Sequence, residues 1–204
     1  LKNVPAKVVK FLRGEYAKLK KGKLSATAGG RVSSGKIAVF TTPEKSSSLY
    51  LGEMLNRVKC KGGTRLSLAT LHFGDSRVAE KLWRHHNNGC KVRVMINYDA
   101  RKADKDGVGT NTLKWLKKKS RKYGRIALYN AQRAGAVKNH FKFLTVQGYF
   151  DGKKQGVVWT GSLHPSPGSQ LNAQIQVRIK DGRLATKYGQ QFDRMINRRD
   201  VSRI

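Results

Sequence analysis

Two residues in the last third of the chain have the types and spacing to attack a phosphodiester. His140 and Lys142 stand two positions apart in the run "KNHFKFLTVQGYF". If this run is a β-strand, residues i and i+2 project from one face, so an imidazole nucleophile and an ammonium group reach the same phosphate. The pair alone is weak evidence because lysine is abundant here, and a solvent-facing strand is the other interpretation.

A turn and a later strand supply further groups that bind phosphate oxygens. Gly161 and Ser162 close the strand-like run "VVWT" and offer backbone N–H groups and a hydroxyl. Asn172, at the start of the next predicted strand, adds an amide donor. His164, two residues after Ser162, is either a phosphate donor or an ordinary loop histidine, and both interpretations stay open.

The combination of these pieces resembles a known family. "HFK", then "VVWTGS" and "LNAQIQVRI", is similar to the H-x-K-x4-D and G-S-x-N signature of the phospholipase D superfamily. The upstream run "RLSLATLHFGDSRVAEKLWRHHNNGCKVRVMINYD" resembles the strand, helix, glycine turn and strand of that superfamily. The resemblance covers roughly residues 37–197, and its wider run resembles the C-terminal half of secreted actinobacterial-type phospholipase D-like proteins.

The resemblance implies a mechanism without a metal or a cofactor. In that superfamily two such motifs meet, one histidine forms a phosphohistidine, and the other protonates the leaving oxygen and then activates water. Lysines and Ser or Asn donors neutralise the charge that develops. This chain carries one motif, with His140 and Lys142 as its catalytic residues. We therefore expect a homodimer, or a pairing with a second phospholipase D-like half.

Three polar positions depart from the family pattern. The Asp of the pattern is Gln147, its Asn is His164, and the carboxylate of the later block is Gln174. An amide can orient the ring of His140, but it supplies no charge to stabilise the imidazolium. We expect Gln174 to take this orienting role in a site that is either attenuated or retained for binding.

The charge of the chain points to polyanions. Forty-three Lys and Arg face twelve Asp and Glu, which gives a formal net charge of +31. Nucleic acid is the first candidate partner and an anionic lipid surface the second, because both present dense phosphate. A basic character unrelated to any partner remains a third interpretation. No apolar run approaches the roughly 20 residues that span a bilayer.

Three functions follow from these observations. The first is a phosphodiesterase acting on nucleic acid, with the basic run "KWLKKKSRK" contacting phosphates. The second is a phospholipase D acting on phospholipid head groups, although the sequence shows no amphipathic helix with a broad apolar face. The third is a catalytically degenerate half-domain that binds polyanions.

Two cysteines precede strand-like runs on either side of one predicted helix. In a parallel β-α-β unit, Cys60 and Cys90 would lie at the same edge of the sheet, close enough to pair. A disulfide would indicate a secreted, extracellular protein. Two buried free thiols are the other interpretation.

The hydrophobic pattern predicts an α/β fold with a mixed central sheet. The resemblance implies a phospholipase D-like mixed β-sheet flanked by helices, as one half-domain of the usual two-lobed or dimeric unit. Residues 1–45 are predicted to be a basic arm or linker ending in a short strand, and 46–204 the domain. Helices are predicted at 48–58 and 76–87, from Thr110, and at 183–197. Strands are predicted in "KIAVF", "RLSLATLHF", "KVRVMINY", "GRIALYN", "KNHFKFLTVQGYF", "VVWTGS" and "NAQIQVRI".

The remaining histidines carry weaker expectations. His85 and His86 lack the spacing of a metal site, so they are predicted to be solvated on a helix. His72, at a strand end, is predicted to be a packed histidine.

Overall fold

The computed structural model describes residues 4–21, 29–43, 50–98, 107–131 and 140–204. The helices are α1 (Ala6–Lys20), α2 (Tyr50–Leu55), α3 (Ser76–Asn87), α4 (Thr110–Lys117) and α5 (Gly182–Ile196). The strands are β1 (Arg31–Ser34), β2 (Ile37–Thr42), β3 (Val58–Lys59), β4 (Arg65–Thr70), β5 (Lys91–Ile96), β6 (Ala127–Asn130), β7 (Lys142–Phe150), β8 (Lys153–Gly161), β9 (Gln174–Lys180) and β10 (Ser202–Arg203). A short 3-10 helix covers Pro167–Leu171.

The strands form one mixed sheet in the order β1-β2-β9-β8-β7-β4-β5-β6-β10, with β3 beside β7. β4, β5 and β6 run parallel, and the other pairs are antiparallel. Parallel neighbours need a crossover, which α3 supplies between β4 and β5, whereas β7 and β8 need only a hairpin. The predicted mixed α/β fold is confirmed.

Successive residues of the central strands pack on opposite faces of the sheet, so the core has two layers. On one face Leu66, Leu68 and Trp159 join a large cluster with the apolar sides of α2 and α3. On the other face Ala69 and Phe143 pack against Phe192, Met195 and other residues of α5. Because both faces are covered, these strands read as nearly continuous apolar runs. No helix among the described residues is long and apolar enough to cross a bilayer.

The β4-α3-β5 unit forms as predicted, and a disulfide closes its starting edge. Asp75 caps α3, since its carboxylate accepts a hydrogen bond from the Arg77 backbone N–H at 2.8 Å. Cys60 and Cys90 are bonded to each other, with their Cα atoms 4.7 Å apart. The predicted pairing is therefore confirmed, because parallel strands bring both cysteines to one edge.

The described residues of the predicted arm form a helix and two strands. Ala6–Lys20 is a helix whose Val8 packs with Val32 and Val39 of β1 and β2. β2 pairs with β9 along its whole length, so this segment completes the sheet. The sequence does not predict α1 because the helix buries little apolar surface: Val8 is buried, Phe11 and Leu12 are partly buried, and lysines surround them. Residues 22–28 of the predicted loop lie outside the described ranges.

The expectation that His85 and His86 are solvated is wrong. His86 is 7% exposed. His85 Nε2 lies 2.9 Å from the Leu55 carbonyl oxygen and Nδ1 lies 3.4 Å from Cys60 Sγ, and burial lowers the pKa of the ring. The cluster of His85 with Cys60 and Cys90 has metal-site dimensions, but the disulfide removes the thiolates that a metal would bind.

Candidate active site

Five of the predicted site residues lie at one end of the sheet, because three strands end or begin there: His140, Lys142, Gly161, Ser162 and His164. β7 starts at Lys142, β8 ends at Gly161, and the two strands are antiparallel. β4 ends beside them, with Thr70 opposite Lys142 in the register. The loops that follow β4 and β8 therefore meet the residues that precede β7.

His140 and Lys142 touch, as their spacing predicts. The Lys142 Nζ donates a hydrogen bond to the His140 Nδ1 at 3.1 Å and another to the His140 carbonyl oxygen at 3.0 Å. β7 begins only at Lys142, so His140 stands just before the strand. Phe143 is buried, whereas Phe141 is 44% exposed and contacts the Phe143 ring edge-on.

The contact between these two residues fixes the tautomer of the imidazole. A protonated lysine has only donors, so Nδ1 of His140 must accept, and the hydrogen of the neutral ring then lies on Nε2. Burial lowers the pKa of Lys142. In this resting arrangement His140 presents an N–H group from Nε2 rather than a nucleophilic lone pair.

The turn after β8 is fixed by a close approach to β9. A side-chain carbon at Gly161 would fall inside van der Waals contact of the Ile175 carbonyl oxygen, so only glycine fits. Next to it, the Ser162 backbone N–H donates to the Ile175 carbonyl oxygen at 2.9 Å. The Ile175 N–H donates to Ser162 Oγ at 3.0 Å. Ser162 therefore extends the β8-β9 ladder and holds its hydroxyl at the edge of the site.

His164 lies in the loop beyond this turn and faces the end of β4. Its Nδ1 accepts a hydrogen bond from the His72 backbone N–H at 3.3 Å, so the ring hydrogen lies on Nε2. Its own backbone N–H donates to Ser169 Oγ at 3.1 Å, which anchors the loop. The ring is thus held as a hydrogen-bond donor beside Lys142, and the two residues line one small cavity.

The surroundings of His164 keep it neutral. Burial, followed by the positive charges of Lys142, His72 and His140, lowers its pKa from 6.5 to about 4. A neutral imidazole with its hydrogen on Nε2 offers a phosphate oxygen one N–H donor, as the amide of an asparagine would.

A family model covers most of the chain. The family model for the cardiolipin synthase, phospholipase D-like domain matches residues 53–196. The chain belongs to the phospholipase D superfamily. None of the curated proteins matches it significantly.

Solved structures share the fold of this phospholipase D-like chain at low sequence identity. Nuc from Salmonella typhimurium, a phospholipase D family member, superposes with a TM-score of 0.59 at 15% identity, over 82% of this chain and 97% of Nuc. Phosphatidylserine synthase from Haemophilus influenzae gives 0.54 at 14%, over 99% of this chain and 48% of the synthase. Polyphosphate kinase from Porphyromonas gingivalis gives 0.53 at 12%, over 93% of this chain and 26% of the kinase.

His72 is a member of the site that the sequence did not single out as functional. Its ring meets the ring of His164 edge-on, with centroids 4.8 Å apart. Its position just after β4 is the feature of the sequence that indicates a functional role, because loops at strand ends hold functional residues in α/β sheets. The register of β4 against β7 brings His72 to His164 of the phospholipase D-like motif.

Gln147, which replaces the Asp of the phospholipase D pattern, lies away from His140. It is five residues along β7 from Lys142, about 17 Å at the usual rise per residue. A side-chain carbon at Gly189 would meet its Oε1 at 2.8 Å, so Gln147 packs against α5. This substitution therefore changes the contact between β7 and α5 rather than the charge around the imidazole.

Asn172 and Gln174 are near the site without touching His140. The Asn172 carbonyl oxygen accepts a hydrogen bond from Thr42 Oγ1 at 2.5 Å, and its side chain is exposed. The Gln174 backbone N–H donates to Thr42 Oγ1 at 3.1 Å. The Gln174 side chain lines a cavity together with Ser162. The phosphate-binding role of Asn172 and the orienting role of Gln174 stay predictions.

Proposed function

We propose that this chain is a phosphodiesterase that forms a phosphohistidine at His140 and acts on nucleic acid. One observation carries the proposal: His140, Lys142, Ser162 and His164 converge at one end of the sheet. These groups supply one nucleophile, one cation and two neutral donors, which is what an in-line displacement at phosphorus requires.

In the first step Nε2 of His140 attacks phosphorus and the ester P–O bond breaks. Substrate phosphate draws the Lys142 ammonium away from Nδ1, so the ring hydrogen moves to Nδ1 and Nε2 gains the lone pair for attack. Lys142, the Ser162 hydroxyl and the His164 N–H then stabilise the negative charge on the equatorial oxygens. In the second step water attacks phosphorus, the P–N bond breaks and His140 is regenerated.

The leaving oxygen needs a proton. His164 does not supply it, because a pKa of about 4 leaves that ring neutral at pH 7. A second imidazole, from another copy of the chain or from a second phospholipase D-like half, would act as the general acid. We therefore propose that the active form is a homodimer or such a complex. A strictly monomeric particle in light scattering that retains full activity would contradict this pairing.

The substrate proposal rests on charge. A formal net charge of +31 attracts a polyphosphate backbone and makes its binding strongly dependent on salt. A phospholipid is the second candidate, favoured by exposed apolar side chains at Phe141, Leu171 and Leu19 on the elements around the site. The Cys60–Cys90 disulfide supports a secreted location.

The experiment is cleavage of plasmid DNA and of bis(p-nitrophenyl) phosphate in EDTA. We expect the unaltered chain to cleave both, His140→Ala to cleave neither, and His86→Gln, which alters a histidine on α3, to retain activity. An acid-labile phosphorylated protein should accumulate with the unaltered chain and not with His140→Ala. Absence of cleavage at every protein concentration and in every oligomeric state would leave a polyanion-binding domain as the function.

A further inference from the structure

A cavity of about 270 Å³ opens beside the phosphate site, between α1 and the ends of β2 and β9. Ser162 and Gln174 line it on the side of the site. Its remaining walls are the apolar or aromatic Leu12, Tyr16, Leu19, Ala173 and Ile175 and the polar Glu15, Thr41 and Thr42. A group that enters this cavity would therefore be attached to, or adjacent to, the phosphate that His140 attacks.

The α1 wall of the cavity presents an aromatic ring to solvent. Leu12, Tyr16 and Leu19 recur at helical spacing and so lie on one side of α1. Tyr16 is 68% exposed, although it lines a cavity and belongs to a helix that is packed on the sheet. Proteins that bind single-stranded nucleic acid stack its bases on exposed aromatic side chains that lie next to groups contacting the phosphates. Tyr16 has such a position beside the phosphate site.

Polar groups in the walls of the cavity select against a hydrocarbon chain. Glu15 is nearly buried, and its carboxylate accepts hydrogen bonds from Thr41 at 2.8 Å and from Lys18 at 2.6 Å. Within the described residues, the side-chain amide of Gln174 has no hydrogen-bond partner. An acyl chain would remove the Gln174 amide from water without satisfying it, whereas the amino and carbonyl groups of a base can pair with it.

The size of the cavity also fits one ring system. Pockets for drug-sized molecules usually measure about 300–1,000 Å³, so this cavity holds a base with part of its sugar rather than a length of duplex. Both α1 and β2 precede the segment 53–196 that the family model matches. The α1 and β2 walls of the cavity therefore lie outside the segment that the family model matches, whereas Ser162 and residues 173–175 lie within it.

We propose that this cavity is a nucleobase subsite, which holds an unpaired base next to the scissile phosphate with Tyr16 stacked on it. The inference rests on the proposed function for its substrate class, but it concerns binding and not turnover. It makes single-stranded nucleic acid the preferred ligand, because a base inside a duplex is not free to enter.

The test compares two probes of equal charge in a protein that cannot turn over. Fluorescently labelled single-stranded DNA and an abasic strand of the same length are titrated against His140→Ala at one fixed salt concentration. We expect the base-containing strand to bind about tenfold more tightly, and the added substitution Tyr16→Ala to remove that preference without weakening the abasic strand. Tyr16→Phe should keep it, and Tyr123→Ala, at another exposed tyrosine, should leave both affinities unchanged.

Two results would overturn the subsite. Equal affinity of His140→Ala, which retains Tyr16, for the two strands would show that the cavity binds no base. That result would leave the proposed cleavage by the unaltered chain unaffected. Binding to phosphatidylcholine–phosphatidylglycerol vesicles that Tyr16→Ala weakens, together with equal affinity for the two strands, would assign the cavity to lipid. Circular dichroism of each variant separates a lost contact from a lost fold.

Discussion

The Nζ of Lys142 lies 3.1 Å from the Nδ1 of His140, so the lysine occupies the ring nitrogen that must carry a hydrogen during attack. In the proposed mechanism, His140 therefore cannot attack phosphorus until an anion attracts the ammonium group of Lys142. The proposed mechanism thus couples substrate binding to activation of His140 through Lys142.

Removing that side chain tests the coupling. Lys142→Met should lower kcat/KM for bis(p-nitrophenyl) phosphate by about 10²–10³-fold, because a donor to the transition state is lost. The control is Lys153→Met, at an exposed position at the far end of the β7-β8 hairpin. Equal rates for the two variants would exclude Lys142 from the reaction.

The neutral state of His164 has a measurable pH dependence. Its folded pKa of about 4 lies below the unfolded value of 6.5, so the unfolded chain binds the proton more readily. Stability from this group is present above pH 6.5 and is lost as the pH falls toward 4. Urea denaturation at pH 7 and pH 5 should show a smaller loss in His164→Asn than in the unaltered chain. An NMR titration in which His164 is protonated near pH 6.5 would contradict this.

The same substitution tests the donor role. His164→Asn restores the residue of the family pattern and should keep activity within a few-fold, whereas His164→Ala removes the N–H donor and should cost about 10²-fold in kcat. If alanine and asparagine give the same rate, the ring does not contact the transition state.

Gln174 offers a test of the missing carboxylate. Gln174→Glu should raise kcat if this side chain reaches His140 in the assembled site, because a charge behind the ring stabilises the imidazolium. Gln147→Asp restores the other pattern carboxylate at a position that packs against α5, and we expect no gain from it. An increase in kcat from Gln147→Asp, without one from Gln174→Glu, would show that position 147 rather than position 174 acts on His140.

Gly161 should not tolerate a side chain. Gly161→Ala brings a carbon into the Ile175 carbonyl oxygen, which shifts the turn and Ser162 with it. We expect a loss of stability and of activity, measured by thermal denaturation and by cleavage. Gly14→Ala is the matched control, since nothing lies within 4 Å of a carbon added there and α1 should gain up to about 1 kcal/mol of helix propensity.

The Cys60–Cys90 bond closes a loop with a sequence separation of 30 residues. The chain-entropy model assigns such a loop about 3–4 kcal/mol, through restriction of the unfolded chain. The double variant Cys60→Ser/Cys90→Ser should lose about that much in urea, while the cleavage rate of the folded fraction is unchanged. A change in rate without a change in stability would point instead to a role in the site.

The sequence predicted the parts of the fold that are encoded locally. The sequence of the β4-α3-β5 unit contains a helix cap, a helical hydrophobic period and two apolar runs. The structure has the capped helix and both strands. α1 was missed because its lysines outnumber the few apolar residues that it buries. The contact of His72 with His164, and the neutral state of His164, depend on the register of β4 against β7 and on burial, which no local pattern encodes.

The outermost strands of the described sheet limit how two copies can meet. β1 has four residues and β10 has two, and each ends the row of strands. Such short edges, with Arg31 and Arg203 exposed on them, resist the addition of a further strand. We therefore expect a second subunit to bind through the loops around His140. The same loops would then form both the subunit interface and the entrance for the substrate.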